Sequence, residues 1–220
     1  MTRLRAILFD LDGTLVDTND MHVEAWQRAF RDHGHDFDRA QIHGQIGKGG
    51  DNLVPSLLPD AGEDERDAID GRHGDIYKGE LMPTARPFPC ASDLLRRAKD
   101  AGLKVVLASS AGSEEVDHYV GLLGKDLISF TTGKDDVDAS KPCPDIFEAA
   151  LEKGGLKPDE AIVIGDTPYD VLAAKRAGLD CIAVLSGGFR EEYLRSAGAV
   201  AIYRDAADLL DHWVDLPIRT

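Results

Sequence analysis

Four apolar runs of strand length, Leu4 to Phe9, Lys104 to Ala108, Ala161 to Ile164 and Cys181 to Leu185, punctuate the chain. Each is nearly continuous rather than alternating, the pattern of a strand covered on both faces. Between them, Ala91 to Ala101, Ser113 to Leu123, Pro144 to Lys153 and Tyr169 to Ala177 read as helices, and Gly102 and Gly178 sit where left-handed C-terminal caps are expected. Such alternation predicts an α/β fold with a parallel sheet. From Thr18 to Pro83 the pattern is helical throughout. Val23, Trp26 and Phe30 recur at helical spacing after Thr18 or Asn19 as N-cap, and Glu63 to Lys78 continues the helical character. The expected organisation is a core of residues 1–17 and 84–220 with an inserted helical cap of residues 18–83. Val16 to Thr18 and the proline-punctuated Pro83 to Pro89 would be the two linkers, side by side as a hinge.

Composition narrows the partners. A formal charge of −15 disfavours a nucleic-acid backbone or an anionic membrane surface, because phosphate contacts need clustered Lys and Arg. No apolar stretch approaches the ~18 residues of a membrane span. The apolar run Ala6 to Phe9 is too short for a secretory signal, so a cytoplasmic location is expected. Cys90, Cys143 and Cys181 are odd in number and unclustered, which argues against a disulfide framework or zinc site and for small buried thiols. A monomer or weak homodimer is the expectation for assembly.

Ligands of open α/β sheets sit beyond the carboxyl ends of the strands, so polar residues that follow the apolar runs are the candidates for chemistry. Asp10 and Asp12, two apart, start on the same side of the chain. One carboxylate can attack while the other protonates a leaving alkoxide and later activates water. Gly13 permits a tight turn, and Thr14 can offer a hydroxyl or an N–H to a phosphoryl oxygen. Asp166 and Asp170, spaced i, i+4, can face one point and with Asp10 supply the hard oxygens that Mg²⁺ requires. The alternative for that pair is a helix N-terminal cap. Lys141, with Pro142 and Pro144 behind it, is a rigid cation able to hold Asp10 ionised. Ser109 adds a hydroxyl and Ser110 an N–H to the same phosphate cradle. Taken singly, a surface lysine and a helix-capping serine are the plainer readings of Lys141 and Ser109.

Together, Asp10-Leu-Asp12-Gly-Thr14, Ser109, Lys141 and Gly165-Asp166-Thr-Pro-Tyr-Asp170 resemble, in order, the four motifs of the haloacid dehalogenase-like superfamily. The resemblance covers nearly the whole chain. It implies a Rossmann-like core with the helical cap of the phosphoglycolate phosphatase and β-phosphoglucomutase subgroup. It also implies Asp10 as nucleophile and metal ligand, Asp12 as general acid/base with its backbone carbonyl on the metal, Asp166 as Mg²⁺ ligand, and Asp170 as ligand or its near neighbour. Asp12 points to phosphate-ester chemistry within the superfamily. The mutases usually carry an acidic residue where Gly165 stands, so hydrolysis of a small phosphorylated metabolite through an aspartyl-phosphate is the expected reaction, with a phosphosugar mutase as the alternative. A non-enzymatic phospho-acceptor domain is the alternative of another class; the cap and Asp12 weigh against it. In the cap, the loop Ile46 to Asn52 resembles a glycine-rich specificity loop, in which Lys48 either contacts substrate or is solvated. His22 either shapes the entrance or packs on the cap.

Overall fold

The computed structural model describes residues 4–216. Six strands, β1 (Ala6–Phe9), β2 (Lys104–Ala108), β3 (Phe130–Thr132), β4 (Ala161–Gly165), β5 (Asp180–Val184) and β6 (Ala201–Tyr203), form one sheet in the order β3-β2-β1-β4-β5-β6. Every pairing is parallel. The four long apolar runs became strands, the first beginning at Ala6 rather than Leu4. The two edge strands β3 and β6 were not anticipated. Each is three residues long and only partly buried, too short for a periodicity to show.

Helices cover both faces because the strands are apolar on both. Ile7, Phe9, Val105, Leu107, Ile162 and Ile164 join one core with α5 (Ala91–Asp100), α6 (Ser113–Leu123) and α10 (Ala206–Asp211). Ala6, Leu8, Val106, Ala108 and Val163 join the other with α7 (Asp145–Gly154), α8 (Pro168–Arg176) and α9 (Glu191–Ala197). Gly102 and Gly178 take positive φ values of 80° and 77° just past α5 and α8, the conformation a C-terminal cap demands.

Between β1 and α5 the chain makes α1 (Asn19–Asp32), α2 (Arg39–His43), α3 (Gly50–Leu57) and α4 (Glu63–Ile76), and no strand. Val23, Trp26 and Phe30 of α1 are buried in the first core, each such side chain contributing about 1.5–3 kcal/mol. The outgoing and returning linkers pair with each other: Asp17 N–H donates to Arg86 O at 3.0 Å and Phe88 N–H to Leu15 O at 2.9 Å. Of the three cysteines only Cys181 is buried; Cys90 is exposed and Cys143 half-buried, which corrects the expectation of three buried thiols. Cys90 and Cys143 lie in the connections leading into α5 and α7, outside the packed layers. No helix among the described residues is long and apolar enough to cross a membrane.

Candidate active site

Strand register assembles the site. Phe9 lies level with Leu107 on one side and Ile164 on the other, so Asp10 falls beside Ala108 and Gly165, next to Ser109 and Asp166. Asp10 N–H donates to Ile164 O at 2.9 Å. The turn that follows needs Gly13 twice over: its φ is +73°, and a Cβ there would stand 2.4 Å from both Asn19 Nδ2 and Asp166 Oδ2. Gly187, past the end of β5, is as constrained, since a Cβ would lie 1.7 Å from Asp166 Oδ2.

Asp10, Asp166 and Asp170 present carboxylate oxygens within 4.8 Å of one another, all buried. Lys141, itself 1% exposed, places Nζ 2.5 Å from Asp10 Oδ1, 2.7 Å from Asp170 Oδ1 and 3.2 Å from Ala108 O. It is no surface lysine. The Asp170 contact is an ion pair without hydrogen-bond alignment, leaving that buried Oδ1 without a hydrogen bond. The other oxygen, Oδ2, accepts from the Thr167 N–H at 3.0 Å and its hydroxyl at 2.7 Å, capping α8. One oxygen of Asp170 thus faces the carboxylate cluster while the other caps the helix. Burial lifts the Asp10 carboxyl to about 7; Lys141 pulls it down, and Asp170 and Asp12 push it up. Burial, then Asp170 and Asp10, raises Asp166 well above the carboxylate range. Three buried carboxyls share one ammonium, and Asp170 Oδ1 has no hydrogen bond. That donor set is short of positive charge and suits a hard divalent cation.

Asp12 stands outside this cluster, on the cap side. Its Oδ1 accepts from the Thr18 hydroxyl at 2.7 Å and faces His22 Nε2 at 3.2 Å. Burial opposes its ionisation, but His22 and Thr18 outweigh burial and hold it below the ordinary carboxylate range. His22 is raised in turn, burial notwithstanding, by Asp12, and its Nδ1 lies 3.2 Å from His73 Nε2. Burial and then His22 push His73 well down, so of the two rings His22 holds a proton the more readily.

Asp10, Asp12, Ser109, Ser110, His22 and Lys48 all line one cavity of about 450 Å³ between cap and core. Ser110 Oγ is buried without a partner, and Ser109 Oγ accepts from Ala111 N–H at 3.1 Å and is still free to donate. Ser109 does not cap α6, whose N-cap is Gly112. Thr14 corrects an expectation: its hydroxyl donates to Asp166 Oδ1 at 2.9 Å and its N–H to Leu11 O at 3.2 Å, so neither reaches a phosphoryl group. Lys48 is half-buried, and its Nζ donates to Gln45 Oε1 at 2.6 Å and Ser56 Oγ at 2.9 Å, 4.6 Å from the Tyr169 ring centroid.

The sequence reading passed over several participants. Asn19 bridges the Asp166 carboxylate, at 2.9 Å, and Gly187 O, at 3.0 Å. Ser140, adjacent to Lys141, is gripped by the cap: Gly49 N–H donates to its Oγ at 2.9 Å, Asn52 Nδ2 to its Oγ and O at 3.0 and 3.1 Å, and its own N–H to Asp51 Oδ2 at 3.0 Å. Ser186-Gly187 follows an apolar strand, so the strand-end rule could have found it; nothing local marks His73 or Ser140.

The sequence model of the family described as haloacid dehalogenase-like hydrolase matches residues 7–184. The chain is 29% identical to the phosphoglycolate phosphatase of Rhodospirillum rubrum, over 97% of this chain and 92% of that protein. It is 28% identical to the validoxylamine A 7'-phosphate phosphatase of Streptomyces hygroscopicus subsp. limoneus, over 82% and 85%. A crystal structure of a hydrolase from Pseudomonas syringae superposes with a TM-score of 0.90 at 32% identity, covering 96% of this chain and 99% of that one. The match spans every strand end that builds the carboxylate cluster, and the chain belongs to the haloacid dehalogenase-like hydrolase family.

Proposed function

We propose that the protein is a Mg²⁺-dependent phosphatase that hydrolyses a small phosphomonoester through an aspartyl-phosphate on Asp10. The observation that carries this reading is Asp10 itself: a buried carboxylate with Lys141 on one oxygen, two further carboxylates behind it, and Asp12 and a cavity of about 450 Å³ in front. The names of its phosphatase relatives agree.

Asp10, Asp166 and Asp170, with the Asp12 backbone carbonyl, would hold Mg²⁺, which supplies the positive charge that a phosphoryl dianion and these carboxylates lack. Lys141 keeps Asp10 ionised and neutralises charge as phosphorus is transferred. Ser109 and Ser110 donate to the non-bridging oxygens. An Asp10 oxygen attacks phosphorus while the ester P–O bond breaks, and Asp12 hands a proton to the departing alkoxide. His22 and Thr18 hold Asp12 below the ordinary carboxylate range, so the proton that Asp12 hands on reaches it from His22, whose own pKa is raised beside it. In the second half Asp12 takes a proton from the attacking water, the acyl phosphate is cleaved, and Asp10 is regenerated. Gly165 favours hydrolysis over mutase chemistry. A Cβ there would meet the Asp170 carboxyl carbon at 2.5 Å, so Asp170 already fills the space an acidic residue at 165 would use.

The test is Mg²⁺-dependent release of phosphate from p-nitrophenyl phosphate, with acid-quench trapping of a base-labile phosphate on Asp10. Multiple turnovers and a trapped phosphoenzyme are expected, and Asp10→Asn should show neither. Full activity in that variant would remove Asp10 from its role. Isomerisation of a sugar phosphate without free phosphate would establish the mutase instead, and a single turnover the phospho-acceptor domain.

A further inference from the structure

The cavity extends from Asp10 and Asp12 into the cap, where the alcohol leaving group must lie. Its charge is one-sided. No arginine is found among its described lining residues. Two of its three lysines are paired with carboxylates, Lys134 with Asp70 at 2.9 Å and Lys78 with Glu114 at 3.2 Å, and the third, Lys48, is turned toward the neutral Gln45, Ser56 and Tyr169 ring, which do not line the cavity. Against them, Asp75, Glu115 and Asp135 also line the wall, and no lysine or arginine forms a salt bridge with any of the three. Burial, its largest influence, lifts the Glu115 carboxyl to about 7; His22, Lys78 and Lys134 pull it down without offsetting burial, and Asp12 pushes it up. Asp135 accepts only the Ser113 N–H, at 3.0 Å.

There is also room. Gly71 and Gly74 of α4 face the chamber; a Cβ on Gly71 would meet nothing within 4 Å, and one on Gly74 only Lys78 Cε at 3.8 Å. A volume of about 450 Å³ lies within the usual range for small-molecule sites, about 300–1,000 Å³, and exceeds what a phosphate alone occupies.

We infer that this chamber selects substrates by charge: the leaving alcohol carries no second anionic group, and is uncharged or amine-bearing. A carboxylate or second phosphate there would be repelled by Asp75 and Asp135 at the exposed rim, and above about pH 7 by Glu115 as well. An ammonium would find acceptors in Asp75, Glu115 and Asp135. The inference rests on the phosphatase reading and sets this chain apart from the phosphoglycolate phosphatase it resembles, whose named substrate carries a carboxylate.

Three phosphomonoesters of nearly equal size separate the possibilities: phosphoethanolamine, 2-hydroxyethyl phosphate and 2-phosphoglycolate, assayed with Mg²⁺ beside p-nitrophenyl phosphate. The expected kcat/KM for phosphoglycolate is at least about tenfold below that for the hydroxyethyl ester, with the gap narrowing at high salt. Phosphoethanolamine should equal or exceed the hydroxyethyl ester. Asp75→Lys, on the exposed side of α4, should raise the phosphoglycolate ratio severalfold. Phosphoglycolate turned over as well as or better than the neutral ester, or a ratio unmoved by Asp75→Lys, overturns the inference alone. Hydrolysis of none of the four esters overturns the phosphatase reading, and this inference with it.

Discussion

At Asp170 the two carboxylate oxygens face different ways, one to the N-terminus of α8 and one to Lys141 and Asp10. The capping bond fixes the side chain so that its unpaired oxygen points into the site, and a local motif thereby orients a distant one. Asp12 is placed by Thr18 and His22 in the same manner. Asp12→Asn keeps an oxygen for both partners but carries no proton, so kcat on an alkyl phosphate should fall about 10²–10⁴-fold. The loss should be much smaller on p-nitrophenyl phosphate, whose phenolate leaves unassisted; equal losses on both esters would deny Asp12 the acid role. Glu115 gives a prediction in pH. Its carboxyl is raised from an ordinary 4.5 to about 7, so between those values the folded protein holds a proton that the unfolded chain has lost. Its contribution therefore turns unfavourable as pH rises through that window. Glu115→Gln should match the parent in Tm at pH 4.5 and exceed it at pH 8, followed by thermal unfolding monitored by circular dichroism. A difference independent of pH would show that Glu115 titrates normally.

Among the elements, the segment joining the end of β3 to α7 matters most for its contact with the cap. The loop before α3 and its first turn grip N, Oγ and O of Ser140, and the next residue is the lysine that holds Asp10. The closed cap thus bears on Lys141 through a single peptide, while Tyr169 and His43 tie the end of α2 to the core through Gly44 O and Gly187 O. Asn52→Ala removes two of the Ser140 bonds. At about 1 kcal/mol for a net hydrogen bond, docking should weaken and KM rise about fivefold or more, read in steady-state kinetics. An unchanged KM and kcat would show that the grip does not report on closure. Gly49 tolerates no side chain here, since a Cβ would stand 2.8 Å from Ser140 Cβ.

For the whole molecule, the charge imbalance at the strand ends predicts a coupling between cation binding and stability. A ligand that binds only the folded state at a hundredfold excess over Kd stabilises it by about 2.7 kcal/mol. Mg²⁺ should accordingly raise Tm, EDTA should reverse the rise, and Asp166→Asn should abolish it; a wild-type Tm indifferent to Mg²⁺ would deny the cluster its cation. The architecture was largely legible in the chain, because continuous apolar strands, helical periodicity and glycine caps are local and repeat within a few residues. Asp10, Asp12, Ser109, Asp166 and Asp170 were legible for a related reason: in a parallel sheet, residues just past apolar runs must converge at one edge. Lys141, in the connection between β3 and α7, was legible from its flanking prolines and its place in the motif order instead. Short edge strands offered too few residues to show a period, and roles set by contact offered no local signal at all. Thr14 turned inward to Asp166 across 152 residues, Asn52 reached Ser140 across 88 and His22 met His73 across 51, while Lys48 turned aside to Gln45, contacts that depend on tertiary packing and side-chain rotamer rather than on spacing along the chain. Sequence by itself determined which carboxylates meet, since residues just past the apolar strands of a parallel sheet converge at one edge. Only the tertiary structure decided which oxygen each one offers and what faces the alcohol, since those depend on packing between segments that no spacing along the chain encodes.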